Sequence, residues 1–170
     1  MSTALAMHTH STLTPMGQMS LYSRTGERLC TRALGSCVAV MLRDIHGRAG
    51  GLAHCMLPLS QLDADCARKE PCTFTDSGIA CLRNALIAGP VPCLELQAFI
   101  VGGACLLGTI TGAQMGQRNV AVARMLLDQL EIPLAGERVG GQMPRSVIFA
   151  PEEGWVEIFC AGETERVDWV

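Results

Sequence analysis

Short apolar runs, cut by turn residues, alternate along this chain with two stretches of helical period. CVAVMLR (37–43) is β-branched and continuously apolar, which predicts a buried strand. DIHG (44–47), with Asp first and Gly last, has turn chemistry. GLAHCML (51–57) predicts the returning strand, stopped by Pro58. MGQMSLYS (16–23) predicts an earlier strand, followed by a turn at TGER. LELQAFIVGG (94–103) predicts a strand that runs into glycines, and RSVIF and GWVEIFC flank APEEG as a hairpin.

The helical stretches are TDSGIACLRNALIAGP and GQRNVAVARMLLDQLEI. In the first, Asp76 or Ser77 is the expected cap, Ile79, Leu82, Ala85 and Leu86 share a face, and Gly89-Pro90 ends the pattern. In the second, Asn119 is the expected cap, and Val120, Ala123, Leu127 and Leu130 share a face. Two amphipathic helices need a sheet to cover. The mixed order predicts an α/β layered domain with a mixed sheet and hairpins, not a doubly wound parallel sheet. Residues 1–15, rich in Ser, Thr and His, are expected to form a loose extension, and residues 16–170 a single domain.

Composition narrows the possibilities. Of the 170 residues, 49% are apolar but only 4% aromatic, so the core is aliphatic. The 13 basic residues give a net charge of −3 and form no stripe, which leaves nucleic-acid binding without electrostatic support. The longest apolar stretch is too short to span a bilayer, and the N-terminus lacks the basic and apolar regions of a signal peptide. Nine cysteines are scattered with no C-x-x-C pair, which argues against a zinc ribbon or a thioredoxin motif. A reducing, cytoplasmic setting is expected, with most thiols packed as small hydrophobes. No metal site and no cofactor are expected.

Candidate chemistry centres on one cysteine and one histidine. His8 and His10 lie in the extension and His46 in the turn, so His54 is the one histidine inside an apolar strand. If DIHG is a tight turn centred between Ile45 and His46, Cys37 stands directly opposite His54 on one face of a hairpin, with Cβ atoms roughly 4.5–5.5 Å apart. A thiol beside an imidazole is the minimum apparatus of a cysteine nucleophile: the imidazole takes the thiol proton. Gly35 and Ser36 leave backbone room for a substrate carbonyl, and the Cys37 N–H could help to hold an oxyanion. On these residues alone two readings stand, a packing thiol with a core histidine, or a nucleophile with its base.

The residues also resemble a known family. TRALGSCVAVMLRD and GGLAHCMLP resemble the signature of the CheD chemoreceptor glutamine deamidases. FTD (74–76), IVGGA (100–104), MGQRN (115–119) and VGGQMPRSVIF (139–149) follow in that family's order. Ala33 stands where the family commonly has glycine, and Phe74 where it commonly has tyrosine. The resemblance implies Cys37 as nucleophile, His54 as base, and Thr31 as a third site residue whose hydroxyl orients the imidazole or the substrate amide. It implies a single layered domain of α/β/α type, similar to the catalytic domain of the cytotoxic necrotizing factor toxins. It also implies methyl-accepting chemotaxis receptors as substrates and, for some members, a CheC-type phosphatase as a partner. A non-catalytic adaptor in the chemotaxis array is the alternative.

Overall fold

The structure, a computed structural model, describes residues 11–105 and 110–169. Its elements are β1 (Ser11–Leu13), β2 (Met19–Leu21), β3 (Arg28–Leu34), β4 (Val38–Asp44), β5 (Gly50–Cys55), α1 (Ala64–Lys69), α2 (Thr75–Ile87), β6 (Leu96–Gly102), α3 (Ile110–Gln129), β7 (Leu134–Val139), β8 (Arg145–Ala150), β9 (Trp155–Cys160) and β10 (Glu163–Asp168). They build two mixed five-stranded sheets, ordered β1-β3-β8-β9-β10 and β2-β5-β4-β6-β7. The molecule is thus α/β with mixed sheets and hairpins, as the sequence predicts. The layers run sheet, sheet, helices. Where an α/β/α arrangement puts a second helical layer, the β1–β10 sheet covers that face of the β2–β7 sheet.

The central strand shows why. All seven residues of β4 are buried, so both its faces need a cover. Val38, Val40 and Leu42 pack under Ile79, Leu82 and Leu86 of α2 and Val120, Ala123 and Leu127 of α3. Ala39 and Met41 point the other way, into a core shared with Leu29 and Leu34 of β3, Val147 and Phe149 of β8, and Val156 and Ile158 of β9. Trp169 closes that inter-sheet core, with its ring edge-on to Phe99 and Phe149 at 5.2 Å each. On the outer face of the β1–β10 sheet the Trp155 ring lies under the guanidinium groups of Arg28 and Arg166. Two cations thereby cover apolar surface that no helix reaches.

Several boundaries differ from the sequence reading. Residues 11–13, expected in a loose extension, pair in parallel with Arg28–Cys30. β7 and β10 carry charges at alternate or adjacent positions, and the sequence pattern assigned no element there. The structure pairs them at sheet edges, β7 beside β6 and β10 beside β9. Asp76 is not the cap of α2. Its carboxylate lies in the first turn and accepts the Ser60 N–H and hydroxyl.

β3 carries a bulge between Thr31 and Leu34, and inside it Ala33 adopts φ 57°. This left-handed conformation costs an L-residue roughly 1–2 kcal/mol, and glycine avoids that cost. Glycine's greater unfolded-state entropy offsets roughly 0.5–1 kcal/mol of the gain. The Ala33→Gly variant should therefore be more stable by about 0.5–1 kcal/mol, read as a higher urea midpoint at unchanged slope.

Candidate active site

Three segments converge where the inter-sheet core opens to solvent. β3 belongs to one sheet and β4 to the other, so the chain crosses the gap at Gly35-Ser36-Cys37. Cys37 is half-buried at this crossing and packs against the rim of the inter-sheet core. His54 lies on β5 and is buried. Thr31 lies on β3 across the gap, 1% exposed, on the same inward face as Leu29.

The hairpin register differs from the expectation. Val38 pairs with Cys55 and Ala39 with His54, so His54 faces Ala39, and Cys37 lies just beyond the ladder. The reason lies in the turn. Asp44 N–H bonds the Ala49 carbonyl, so Ile45–Arg48 form a four-residue loop rather than a tight two-residue turn. Arg48 clasps this loop with two bonds to the Asp44 carboxylate, at 2.7 and 2.9 Å, and holds that carboxyl down at about 2. Gly47 supplies the left-handed residue, and a Cβ there would come within 2.4 Å of the Glu152 carbonyl oxygen. The longer loop moves the partner of His54 from residue 37 to residue 39. An even shift keeps each residue on its face, so Cys37 and His54 remain diagonal neighbours on the face turned to the other sheet.

Thr31 and His54 meet across the gap. Thr31 Oγ1 lies 2.7 Å from His54 Nδ1 and 2.8 Å from the Thr14 carbonyl oxygen. The carbonyl can only accept, so the hydroxyl donates to Thr14 and accepts from Nδ1–H. This assignment puts the histidine proton on Nδ1 and leaves Nε2 as a bare acceptor. Nε2 is buried and has no hydrogen-bond partner among the described residues. The thiol of Cys37 rests against Met16, Sγ to Sδ 3.9 Å. An open cavity of about 600 Å³ starts at Met16 and runs past Gln18, Lys69 and Glu70.

Electrostatics keep both partners uncharged at rest. Burial pushes the Cys37 thiol above its usual range, and its own backbone N–H only partly counters this. Burial also lowers His54 from 6.5 to about 4. At neutral pH the site therefore holds a thiol and a neutral imidazole, not a preformed ion pair.

The other candidates lie beside the site, each with backbone bonds of its own. Gly35 is committed to the backbone: its N–H bonds the Ala33 carbonyl and its carbonyl accepts the Ala104 N–H at 2.7 Å. Ser36 presents its carbonyl to Asn119. Gly102 and Gly103 end β6 as expected and also touch the site, since Gly103 N–H donates to the Cys37 carbonyl at 2.8 Å. Asn119 does not cap a helix. It sits inside α3, fully buried, on the stripe that carries Ala123 and Leu127. A polar amide on an apolar stripe is the signal that could have marked it. Thr14 and Met16 carry no such signal.

Comparison with known proteins gives a family. The family model described as CheD chemotactic sensory transduction matches residues 56–159. A "Probable chemoreceptor glutamine deamidase CheD" of Moorella thermoacetica is 40% identical over 148 residues, 85% of this chain and 87% of that protein. The chain belongs to the CheD family. The corresponding CheD proteins of Syntrophus aciditrophicus and Methanosarcina barkeri are 34% and 35% identical, covering 82% and 78% of this chain and 88% and 85% of theirs. Among the described residues of this CheD chain, no helix is long and apolar enough to cross a membrane.

Burial of neutral His54 has a consequence for stability. The unfolded chain takes up a proton on this histidine near 6.5, whereas the folded chain does so only near 4. Between these values the unfolded state binds more protons, so stability falls as pH falls. Lowering the pH from 8 to 4.5 should cost about 2–3 kcal/mol through this group. Urea unfolding of wild type and His54→Gln at the two pH values should show that portion of the loss in wild type only.

Proposed function

We propose that this protein is a glutamine deamidase of chemotaxis receptors, and that Cys37 and His54 perform the hydrolysis through a thioester. One observation carries the reading. A bare imidazole nitrogen, oriented through Thr31, is buried on the same face as a half-exposed thiol at an open rim. The relatives named as probable chemoreceptor glutamine deamidases supply the substrate class.

The chemistry follows the general pattern of a cysteine hydrolase. The Cys37 thiol turns from Met16 toward His54, and Nε2 takes its proton as the sulfur attacks the side-chain amide carbon of a receptor glutamine. A tetrahedral oxyanion forms, with the Cys37 N–H as one donor. Nε2–H then protonates the leaving nitrogen, and ammonia departs, leaving a thioester. His54 takes a proton from a water molecule that attacks the thioester carbon. Collapse returns the thiolate, which recovers the proton from Nε2 and leaves a glutamate on the receptor. The proton on Nδ1 stays there throughout, donated to Thr31 Oγ1. No step requires a metal or an organic cofactor. In this reading residues 16–170 form the deamidase domain, with Thr14 supporting Thr31 from just outside it.

The test is the conversion of glutamine to glutamate in cytoplasmic receptor fragments, mapped by mass spectrometry. Cys37→Ala should abolish it. His54→Ala should lower turnover by about 10²–10⁴-fold, the range of a lost general base. His46→Ala, exposed on the turn, should be silent. The adaptor reading, in which the chain binds receptors or a CheC-type phosphatase without chemistry, requires the opposite: Cys37→Ala would keep its full biological effect.

Thr31 can be separated from simple strand packing. Thr31→Val keeps the β-branched shape and loses the hydroxyl, so Nδ1 loses its partner. Turnover should fall roughly 10–100-fold, consistent with the cost of misorienting a catalytic base. Thr31→Ser should retain most activity. A fully active Thr31→Val would remove Thr31 from the site.

A further inference from the structure

The inference concerns Asn119 and begins with one peptide bond. The Ser36 carbonyl and the Cys37 N–H belong to the same planar trans peptide, so they point in opposite directions. Asn119 Nδ2 donates to the Ser36 carbonyl at 2.9 Å. The Cys37 N–H is thereby aimed away from Asn119. It belongs to the residue that carries the sulfur, and no backbone carbonyl among the described residues takes it. A free N–H beside the nucleophilic sulfur is the geometry an oxyanion hole needs.

The amide of Asn119 is itself held from every side. Its second Nδ2 proton goes to the Met56 carbonyl at 2.9 Å, two residues beyond His54. Its Oδ1 lies 3.3 Å from the Thr75 hydroxyl at the start of α2. That hydroxyl also lies 3.0 Å from the Leu57 carbonyl and shares its one proton between the two oxygens, while the Ser36 and Met56 carbonyls can only accept and so fix the Nδ2 end of the amide toward them. One fully buried side chain therefore ties the Cys37 loop, the end of β5 and α2 together. On the other side of Cys37 the next peptide is pinned too, since its carbonyl accepts the Gly103 N–H. A Cβ at Gly102 would come within 2.3 Å of that carbonyl oxygen.

We infer that Asn119 is a positioning residue of the active site: its amide holds the Ser36–Cys37 peptide in the orientation that presents the Cys37 N–H to the tetrahedral oxyanion. Without Asn119 the peptide can turn over, and the Ser36 carbonyl oxygen then faces the forming negative charge. The inference rests on the Cys37 reading proposed above.

The test compares two reactions of the same sulfur. Deamidation passes through an oxyanion. Alkylation by iodoacetamide displaces iodide at a saturated carbon and does not. For Asn119→Ala, kcat on a receptor fragment should fall about 100-fold or more, the scale of one lost oxyanion donor, with KM and the Cys37 alkylation rate within about threefold of wild type. Thr75→Val keeps the side-chain shape and removes the hydroxyl shared between Asn119 Oδ1 and the Leu57 carbonyl, leaving Oδ1 without its partner. It should show the same split with a kcat loss of about tenfold, and it decides the matter if Asn119→Ala does not fold. Alkylation falling in step with kcat would overturn the inference, because the whole site would then have collapsed. A kcat within threefold of wild type in a folded variant would overturn it as well. Cys37→Ala separates the two readings. If it is inactive while Asn119→Ala is fully active, only the Asn119 inference fails. If it is active, the nucleophile reading fails.

Discussion

The site depends on a hydrogen bond that crosses from one sheet to the other. Thr31 belongs to the β1–β10 sheet and His54 to the β2–β7 sheet, yet Oγ1 and Nδ1 are 2.7 Å apart. Both side chains are buried, so neither can exchange this bond for one to water. Leaving either polar atom unpaired there would cost about 1–3 kcal/mol. The bond therefore ties the spacing of the two sheets to the tautomer of the imidazole. Apolar packing brings the sheets together without fixing any side chain's protonation. The hydroxyl converts that packing into a directional statement, with Nδ1 protonated and Nε2 free. The Thr14 carbonyl completes the chain by taking the hydroxyl proton.

A neutral resting pair limits side reactions of the thiol. A thiolate reacts readily with electrophiles and oxidants, whereas a thiol held above its usual range does so slowly. Here burial disfavours both charges, and Met16 occupies the thiol's open side. In the proposed mechanism charge develops only when a carbonyl carbon arrives to accept the sulfur, because proton transfer to Nε2 then accompanies bond formation. The half-exposed methionine is a soft and adaptable lip, well suited to yielding to an incoming side chain.

The parts of the molecule legible in the sequence were those set by local period. Continuous apolar runs gave β4, β5 and β6, helical spacing gave the buried faces of α2 and α3, and turn residues gave the β8–β9 hairpin. The pairing of Cys37 with His54 was legible as a shared face but not as a register. The face depends only on parity, whereas the register depends on loop length, and the Asp44–Arg48 clasp lengthens the loop. Of the β1–β10 sheet only the β8–β9 hairpin was legible. The edge strands β1 and β10 are short or charged, and they become strands only because a neighbour pairs with them. Thr31 entered through family resemblance alone, since the chain switches sheets between Thr31 and Cys37 and no parity argument survives that switch.

Asn119 shows a subtler limit. A polar residue near the expected start of a helix reads as a cap, and caps are common. What overrides this is the extension of α3 back to Ile110, which puts Asn119 in mid-helix on the buried side. A mid-helix amide has no orphan backbone groups of its own helix to satisfy. It must find partners elsewhere or leave three polar contacts unmet in the core. The carbonyls it finds belong to Ser36 and Met56, both in segments that have just left regular sheet and therefore lack ladder partners. Loop backbone bent to carry reactive groups leaves such carbonyls unpaired, and a buried side-chain amide is the compact group with two donors on one atom that can take both. The demand of the loop and the demand of the amide cancel only in one geometry, and that geometry fixes the peptide next to Cys37, the proposed nucleophile.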